Sequence, residues 1–123
     1  MRVLKSLTEL DEAVRHSYDR PIVIFKHSAT CGTSAMAFEE MRELIALEPA
    51  AEVFVVAIPF GRAVSNEIAR RFGVRHESPQ VLVVRDGGIA WHASHFRVTR
   101  DGIASALAGV AAAGRAAGAR EGA

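Results

Sequence analysis

Two short runs of consecutive apolar residues most constrain how this chain can fold. Residues 22–25 and 53–58 are mostly β-branched or aromatic, a pattern typical of strands that are covered on both faces. Both runs are far shorter than the roughly 20 residues that a membrane-spanning helix requires. The chain is therefore predicted to contain a central sheet packed between helices.

The apolar residues outside these runs recur mainly at helical spacing. Ser6 or Thr8 is a suitable N-cap for the first helix, Pro49 ends the second and Gly73 ends the third. The turn Asp86-Gly87-Gly88 predicts that residues 81–84 pair antiparallel with the strand that follows. The predicted order is α-β-α-β-α-β-β-α, an α/β fold with a mixed sheet of about four strands flanked by about four helices.

Length and composition favour one domain. The chain has 123 residues, of which 50% are hydrophobic, so it can bury its own core. We assign residues 1–112 to this domain. The Ala/Gly/Arg-rich stretch 113–123 has little to bury and is expected to fray.

Charge and cysteine content limit the function classes. A formal net charge of +1 gives no field that would favour nucleic acid or an anionic membrane as the main partner. The N-terminus is not followed by the apolar run of a signal peptide, so we expect a cytoplasmic protein. One cysteine excludes an internal disulfide framework and fits a reducing compartment.

That cysteine, Cys31, follows the first predicted strand and precedes a helix that contains Met36 and Met41, both expected in the core. At a helix N-terminus the unpaired N–H groups and the macrodipole stabilise a thiolate and lower the thiol pKa. A lone cysteine is otherwise often a small buried hydrophobe. Ser34 stands where dithiol oxidoreductases hold their second cysteine, and it is either a hydrogen-bond donor to the sulfur or a helix cap.

Other polar groups are predicted near the same strand ends. Base rates favour a trans Ser78–Pro79 bond. In a thioredoxin-type arrangement, however, a cis-proline at this place abuts the active-site sulfur and leaves the backbone of the preceding residue, here Ser78, free to pair with an incoming peptide or thiol. Lys26 and His27, with Arg75, His76, His92, His95 and Arg97, lie near predicted strand ends, where some could steady a thiolate or the carboxylates of an anionic thiol. The histidines lack metal-ligand spacing, so no metal is expected. The expected substrate-binding residues are Thr30, Gly32, Thr33, Ser78, Pro79, Lys26 and His27.

The element order, the cysteine at a helix start and Ser78-Pro79 resemble the thioredoxin fold. More closely, the chain resembles the bacillithiol system protein YtxJ family, the monothiol bacilliredoxins, from about Leu7 to Leu107. The segments that carry this resemblance are Phe25-Lys26-His27-Ser28, Thr30-Cys31 with Ser34, Ser78-Pro79-Gln80-Val81 and Trp91-His92-Ala93-Ser94-His95.

The resemblance implies removal of bacillithiol from S-bacillithiolated proteins. Cys31 occupies the position of the nucleophile and Ser34 that of the non-resolving serine. Bacillithiol is then a co-substrate, S-thiolated client proteins are partners, and no tightly bound cofactor is implied. The family's Thr-Cys-Pro-Ile-Ser pattern is interrupted here by Gly32 and Thr33, and glycine in place of proline is expected to loosen this turn.

Two alternatives remain at this point. Cys-Gly-Thr-Ser is similar to the Cys-Gly-Phe-Ser loop of monothiol glutaredoxins, which use glutathione and hold a 2Fe-2S cluster between two subunits. However, Ser78-Pro79-Gln80 replaces their Thr-Val-Pro, and Gly87-Gly88 falls in a hairpin turn. The other alternative is a redox-inactive thioredoxin-like binding module, which predicts a thiol of ordinary pKa.

Overall fold

A computed structural model describes residues 1–29, 32–47 and 49–121, with side chains described as far as Ala113. The helices are α1 (Leu7–His16), α2 (Gly32–Ala46), α3 (Arg62–Phe72) and α4 (Arg100–Glu121), and a 3₁₀ turn spans His95–Arg97. The strands are β1 (Arg2–Val3), β2 (Ile22–Ser28), β3 (Glu52–Ile58), β4 (Gln80–Arg85) and β5 (Gly88–Ser94).

The five strands form one mixed sheet in the order β1-β3-β2-β4-β5. β1 and β2 each pair parallel with β3, whereas β4 is antiparallel to both β2 and β5. The predicted α/β architecture is confirmed, with one strand more than expected. The additional strand, β1, is two exposed residues long, so it has no apolar run that a sequence pattern could reveal.

Both faces of the sheet are covered, as the two apolar runs predicted. Ile22 and Ile24 of β2 pack in one core cluster with side chains of α1 and α3. Val23 and Phe25 pack in a second cluster with side chains of α2 and α4. All four side chains are fully buried, because β2 is a central strand with a helical layer on each side.

Two element ends follow from local chemistry. Ser6 is the N-cap of α1, and its Oγ accepts a hydrogen bond from Glu9 N at 3.1 Å. The β4–β5 turn places Asp86 at φ 53° and Gly87 at φ 77°, the left-handed conformation that a two-residue hairpin turn requires. The predicted hairpin is therefore present.

The last helix is longer than expected. The backbone of α4 is helical as far as Glu121, within the stretch 113–123 that we expected to fray, and that expectation stays a prediction. Alanine has the highest intrinsic helix propensity, which favours a helical backbone in this alanine-rich segment. Gly122 and Ala123 lie outside the described residues, and the domain boundary at residue 112 stays a prediction.

Strand direction brings four separate segments to one end of the sheet. Ser28 pairs with Ile58, Lys26 with Gln80, and Gln80 with Ser94. The residues that adjoin these pairs therefore meet at the same end. We call this end the loop face and define it by Ser28–Ala29, Pro59–Phe60, Ser78–Pro79 and His95–Phe96.

Candidate active site at the loop face

In the sequence, the predicted nucleophile Cys31 lies between Ser28, the last residue of β2, and Gly32, the first residue of α2. Thr30 and Cys31 lie outside the described residues, and the chain around them is exposed at Ala29 and at Gly32, the first residue of α2. A Cβ added at Gly32 would meet no described atom within 4 Å, so the position has room for a side chain. α2 begins at Gly32, the residue after Cys31 in the sequence, and the placement of the thiol itself stays a prediction.

Ser34 connects the first turn of α2 to the end of β2. Its side chain is fully buried, and its Oγ accepts a hydrogen bond from Ser28 N at 3.2 Å. As a hydroxyl, Ser34 can accept this bond and still donate its own hydrogen to a second acceptor. This bond ties α2 to β2 and does not cap α2, because its donor lies outside the helix. The hydroxyl hydrogen of Ser34 remains able to reach the sulfur, and that role stays a prediction.

His27 lies in an aromatic cluster beneath this loop. Its ring centroid is 5.7 Å from that of Phe25 and 5.2 Å from that of Phe38. Burial lowers the pKa of His27, while a hydrogen bond to the Ser34 backbone raises it; burial is the larger effect. The Nδ1 atom is buried and has no hydrogen-bond partner among the described residues. The ring is therefore mainly neutral at neutral pH, and its Nδ1 atom is available for a further hydrogen bond.

Lys26 is placed differently from our expectation for a substrate-binding residue. The side chain is fully buried, so it presents no surface to a ligand in this conformation. It occupies the sheet face that α3 covers, and its Nζ donates to Ser65 O at 3.3 Å and lies 3.4 Å from His76 Nδ1. None of the ion pairs between described residues includes Lys26.

A buried amine without a carboxylate makes the stability of the fold depend on pH. Burial lowers the pKa of Lys26 from 10.5 to about 8. Between these two pH values the unfolded chain holds the Lys26 proton and the folded chain does not, so the free energy of unfolding rises with pH. The full rise is about 3 kcal/mol, because one pKa unit corresponds to about 1.36 kcal/mol.

We expect the parent to gain this stability relative to Lys26→Met as pH rises from about 8 to about 10.5. Chemical denaturation at several pH values measures the difference. Lys5→Met is the matched control, because Lys5 is the other lysine of the chain and is exposed. Parallel pH profiles for the parent and Lys26→Met would contradict the buried amine.

Ser78 and Pro79 adjoin β2 and β4 at the loop face. The Ser78–Pro79 peptide bond is cis. Pro79 O accepts a hydrogen bond from His95 N at 2.9 Å, which joins this segment to the one after β5. The pairing of β2 with β4 ends at Lys26 and Gln80, so Ser78 lies beyond the ladder. Its Oγ is buried without a partner among the residues described.

Two clefts meet at His95. The first, of about 310 Å³, lies between α2 and the 3₁₀ turn and includes Thr33, Met36 and Phe96 in its lining. The second, of about 280 Å³, is lined by Glu77, His92, Ala93, Ser94, His95 and Arg97. The clefts differ in character, because the first combines large apolar side chains with the carboxylates of Glu39, Glu40 and Glu43, whereas the second presents groups of both charges.

The three most exposed large apolar side chains that the structure describes are Met36, Phe60 and Phe96, and the sequence pattern missed them. Met36 was expected in the core but is 61% exposed, because it lies on the outer side of α2 while Met41 points to the sheet. Phe60 is 95% exposed and Phe96 is 74% exposed, and both belong to the loop face. For Phe60 and Phe96, the one signal that could have indicated exposure is their position shortly after a strand ends.

The carboxylate of Glu77 gives the second cleft a negative charge. A hydrogen bond from Ser94 is the largest of the effects that lower its pKa, followed by electrostatic interactions with His95, Arg75 and His92.

Across the described part of the chain, which omits Cys31, no three metal-ligating side chains lie close enough to share an ion. No described helix is long and apolar enough to cross a membrane.

Solved structures with the same fold include the thioredoxins. A protein described as having a thioredoxin fold matches with a TM-score of 0.78 at 24% identity, covering 85% of this chain and 91% of that chain. The thioredoxin of Fasciola hepatica matches at 0.70 and 19% identity, covering 88% and 97% of the two chains. Mitochondrial thioredoxin 3 of Saccharomyces cerevisiae matches at 0.69 and 16%, covering 87% and 92%. The protein has a thioredoxin fold.

The family model of the monothiol bacilliredoxin BrxC matches residues 2–103. The chain belongs to this family, as its motifs predicted. Membership places the protein among thioredoxin-like thiol-disulfide oxidoreductases.

Proposed function

We propose that this protein removes bacillithiol from S-bacillithiolated client proteins through a mixed disulfide on Cys31. The observation that carries the proposal is the match to the monothiol bacilliredoxin family, because it includes both the Cys31–Ser34 turn and the Ser78–Pro79 segment. The proposed setting is the reducing cytoplasm, with S-thiolated proteins and a low-molecular-weight thiol as partners.

The first step is a thiol-disulfide exchange. The Cys31 thiolate attacks the bacillithiol sulfur of the client mixed disulfide, a Cys31–bacillithiol disulfide forms, and the client–bacillithiol bond breaks. The client leaves as a thiolate and takes a proton from solvent. One disulfide replaces another, so the step needs no external oxidant or reductant.

The second step must come from another molecule, because the chain has one cysteine and cannot form an internal disulfide. The thiolate of a second bacillithiol attacks the bacillithiol sulfur held on Cys31. This attack releases the Cys31 thiolate and forms the symmetrical bacillithiol disulfide. Bacillithiol is thus a co-substrate, and the cycle uses no tightly bound cofactor.

The clefts at His95 offer places for the two halves of the substrate. We place the client against the apolar side chains Met36, Phe60 and Phe96, because each of them is more than half exposed to solvent. We place the low-molecular-weight thiol in the cleft of mixed charge. There His92 and Arg97 face carboxylates of an anionic thiol, and Glu77 faces an amine.

The glutaredoxin alternative has less support. In the glutaredoxins that resemble this turn, a Gly-Gly pair after the last strand contacts glutathione. Here Gly87 and Gly88 form the turn between β4 and β5. Because Ser94 and Gln80 pair at the other end of these strands, the glycine pair lies away from the loop face.

The test is intact mass after the reduced protein is incubated separately with bacillithiol disulfide and with glutathione disulfide. We expect an adduct of one bacillithiol, faster and at lower concentration than any glutathione adduct. Protein alkylated beforehand with iodoacetamide is the control and should gain no adduct. A glutathione adduct alone would favour the glutaredoxin alternative. No adduct from either, with slow alkylation at about pH 6, would favour a redox-inactive binding module.

A further inference from the structure

The buried ammonium of Lys26 has an unusual set of partners. Buried lysines are generally paired with an acid, because an isolated charge is costly to remove from water. Lys26 instead reaches a backbone carbonyl, Ser65 O, and an imidazole nitrogen, His76 Nδ1, at 3.3 and 3.4 Å. Two neutral acceptors thus offset the cost of burying this charge. We take this arrangement to mean that the side chain positions the segments that carry the acceptors.

Lys26 positions His76, in the segment that precedes Glu77 and Ser78. His76 Nδ1 lies 2.9 Å from Ser65 Oγ as well as near Lys26 Nζ, so the ring is held between β2 and α3. The preceding residue is held too, because Gln80 Nε2 donates to Arg75 O at 2.9 Å. Two consecutive residues are therefore anchored to buried side chains directly before Glu77 and Ser78.

The protonation of His76 decides whether its contact with Lys26 forms, whereas the contact with Ser65 Oγ can persist because a hydroxyl both donates and accepts. An ammonium can only donate, so Nδ1 accepts from Lys26 only while it carries no proton. Burial lowers the pKa of His76, and the charges of Lys26 on β2 and Arg62 on α3 lower it further, whereas Glu77 raises it. The ring is mainly neutral at neutral pH. A proton on Nδ1 would remove the acceptor and bring two positive charges together.

We propose that Lys26 is a positioning residue for the exchange reaction, acting through His76 to fix where Ser78 presents its backbone to a bound disulfide. The proposal rests on the proposed function and adds to it a residue that cannot touch the substrate. Ser78 lies beyond the β2–β4 ladder, so its backbone is set by the anchored residues before it and by the Pro79–His95 bond after it.

The test separates substrate binding from chemistry in three variants. His76→Phe removes the acceptor, Lys26→Met removes the donor, and His76→Asn keeps an acceptor oxygen near the Nδ1 position without a titratable ring. We expect His76→Phe and Lys26→Met to raise KM for a bacillithiolated client by about 3- to 10-fold, the equivalent of one lost hydrogen bond. The kcat and the alkylation rate of Cys31 should not change.

The pH profile gives a readout that loss of stability alone would not produce. KM of the parent should rise as pH falls below the ordinary histidine pKa of about 6.5, because the pKa of His76 is lowered from that value. His76→Asn should keep the KM that the parent has at about pH 7 without this rise. Lys5→Met is the control and should behave as the parent does. If Lys26→Met fails to fold, the two variants at the exposed His76 still decide the question.

Three results would overturn the inference. They are a KM in His76→Phe equal to that of the parent, a KM in His76→Asn raised as much as in His76→Phe, and a parent KM that does not depend on pH in this range. Each leaves the proposed function intact, because the parent still turns over. A parent that shows no turnover with any bacillithiolated client would instead overturn the proposed function and this inference with it.

Discussion

Replacement of Cys31 by alanine is expected to reduce de-bacillithiolation of a client protein to the uncatalysed rate. The chain has one cysteine, so no second thiol can take over the attack on the mixed disulfide. The thiolate is the reacting group in exchange, and neither serine nor alanine can replace it at neutral pH. Release of bacillithiol from a purified client, followed by mass spectrometry, measures the rate.

Ser34→Ala is the matched control for this variant. It removes the acceptor of the 3.2 Å bond from Ser28 N but leaves the cysteine in place. We expect the exchange rate of Ser34→Ala to stay within about tenfold of the parent rate, the effect of one hydrogen bond. Activity of Cys31→Ala equal to that of the parent would show that the nucleophile is wrongly assigned. A Ser34→Ala variant as inactive as Cys31→Ala would make the serine a second essential group.

Phe25→Ala is expected to cause the largest loss of stability among the substitutions considered. The ring is fully buried in the cluster between β2, α2 and α4, and it stacks on His27 at 5.7 Å. Truncation of a buried phenylalanine costs about 3–5 kcal/mol, which is a large part of the 5–15 kcal/mol that stabilises a typical domain. Urea or guanidinium denaturation measures the loss.

Phe60→Ala is the control for this effect of burial. The same atoms are removed from a side chain that is 95% exposed, so the free energy of unfolding should change by less than about 0.5 kcal/mol. A similar loss in both variants would contradict the exposure of Phe60, and a loss below about 1 kcal/mol in Phe25→Ala would contradict the packing of the core. The pair therefore tests the core and the loop face in one experiment.

The sequence predicted the fold and its family where local pattern and long-range structure agree. Residues 22–25 appear as a buried strand in the sequence because every side chain on both faces is apolar, and the structure buries all of them. Gly73 ends α3 in the left-handed conformation, as a glycine after a helix indicates. In each case a few neighbouring residues carry the whole signal.

The predictions of burial were wrong where contacts between residues distant in the sequence determine which side chains are buried. Met36 and Met41 have the same side chain on the same helix, and only the position of the sheet shows that one is exposed and the other buried. Lys26 was expected to contact the substrate, but it is buried, and its acceptors come from α3 and from residue 76, which are distant in the sequence. The roles of Thr30 and Cys31 stay predictions, since both lie outside the described residues.

The arrangement of the loop face affects the order in which the protein folds during synthesis. Its four segments follow β2, follow β3, precede β4 and follow β5, so contacts between residues far apart in the chain bring them together. Such long-range pairings form slowly, because the chain loses much entropy before they are made. During synthesis, Cys31 leaves the ribosome well before β5 does. The groups that would recognise a client therefore come together only after the C-terminal hairpin has docked, so the nascent chain carries its thiol before its binding surface exists.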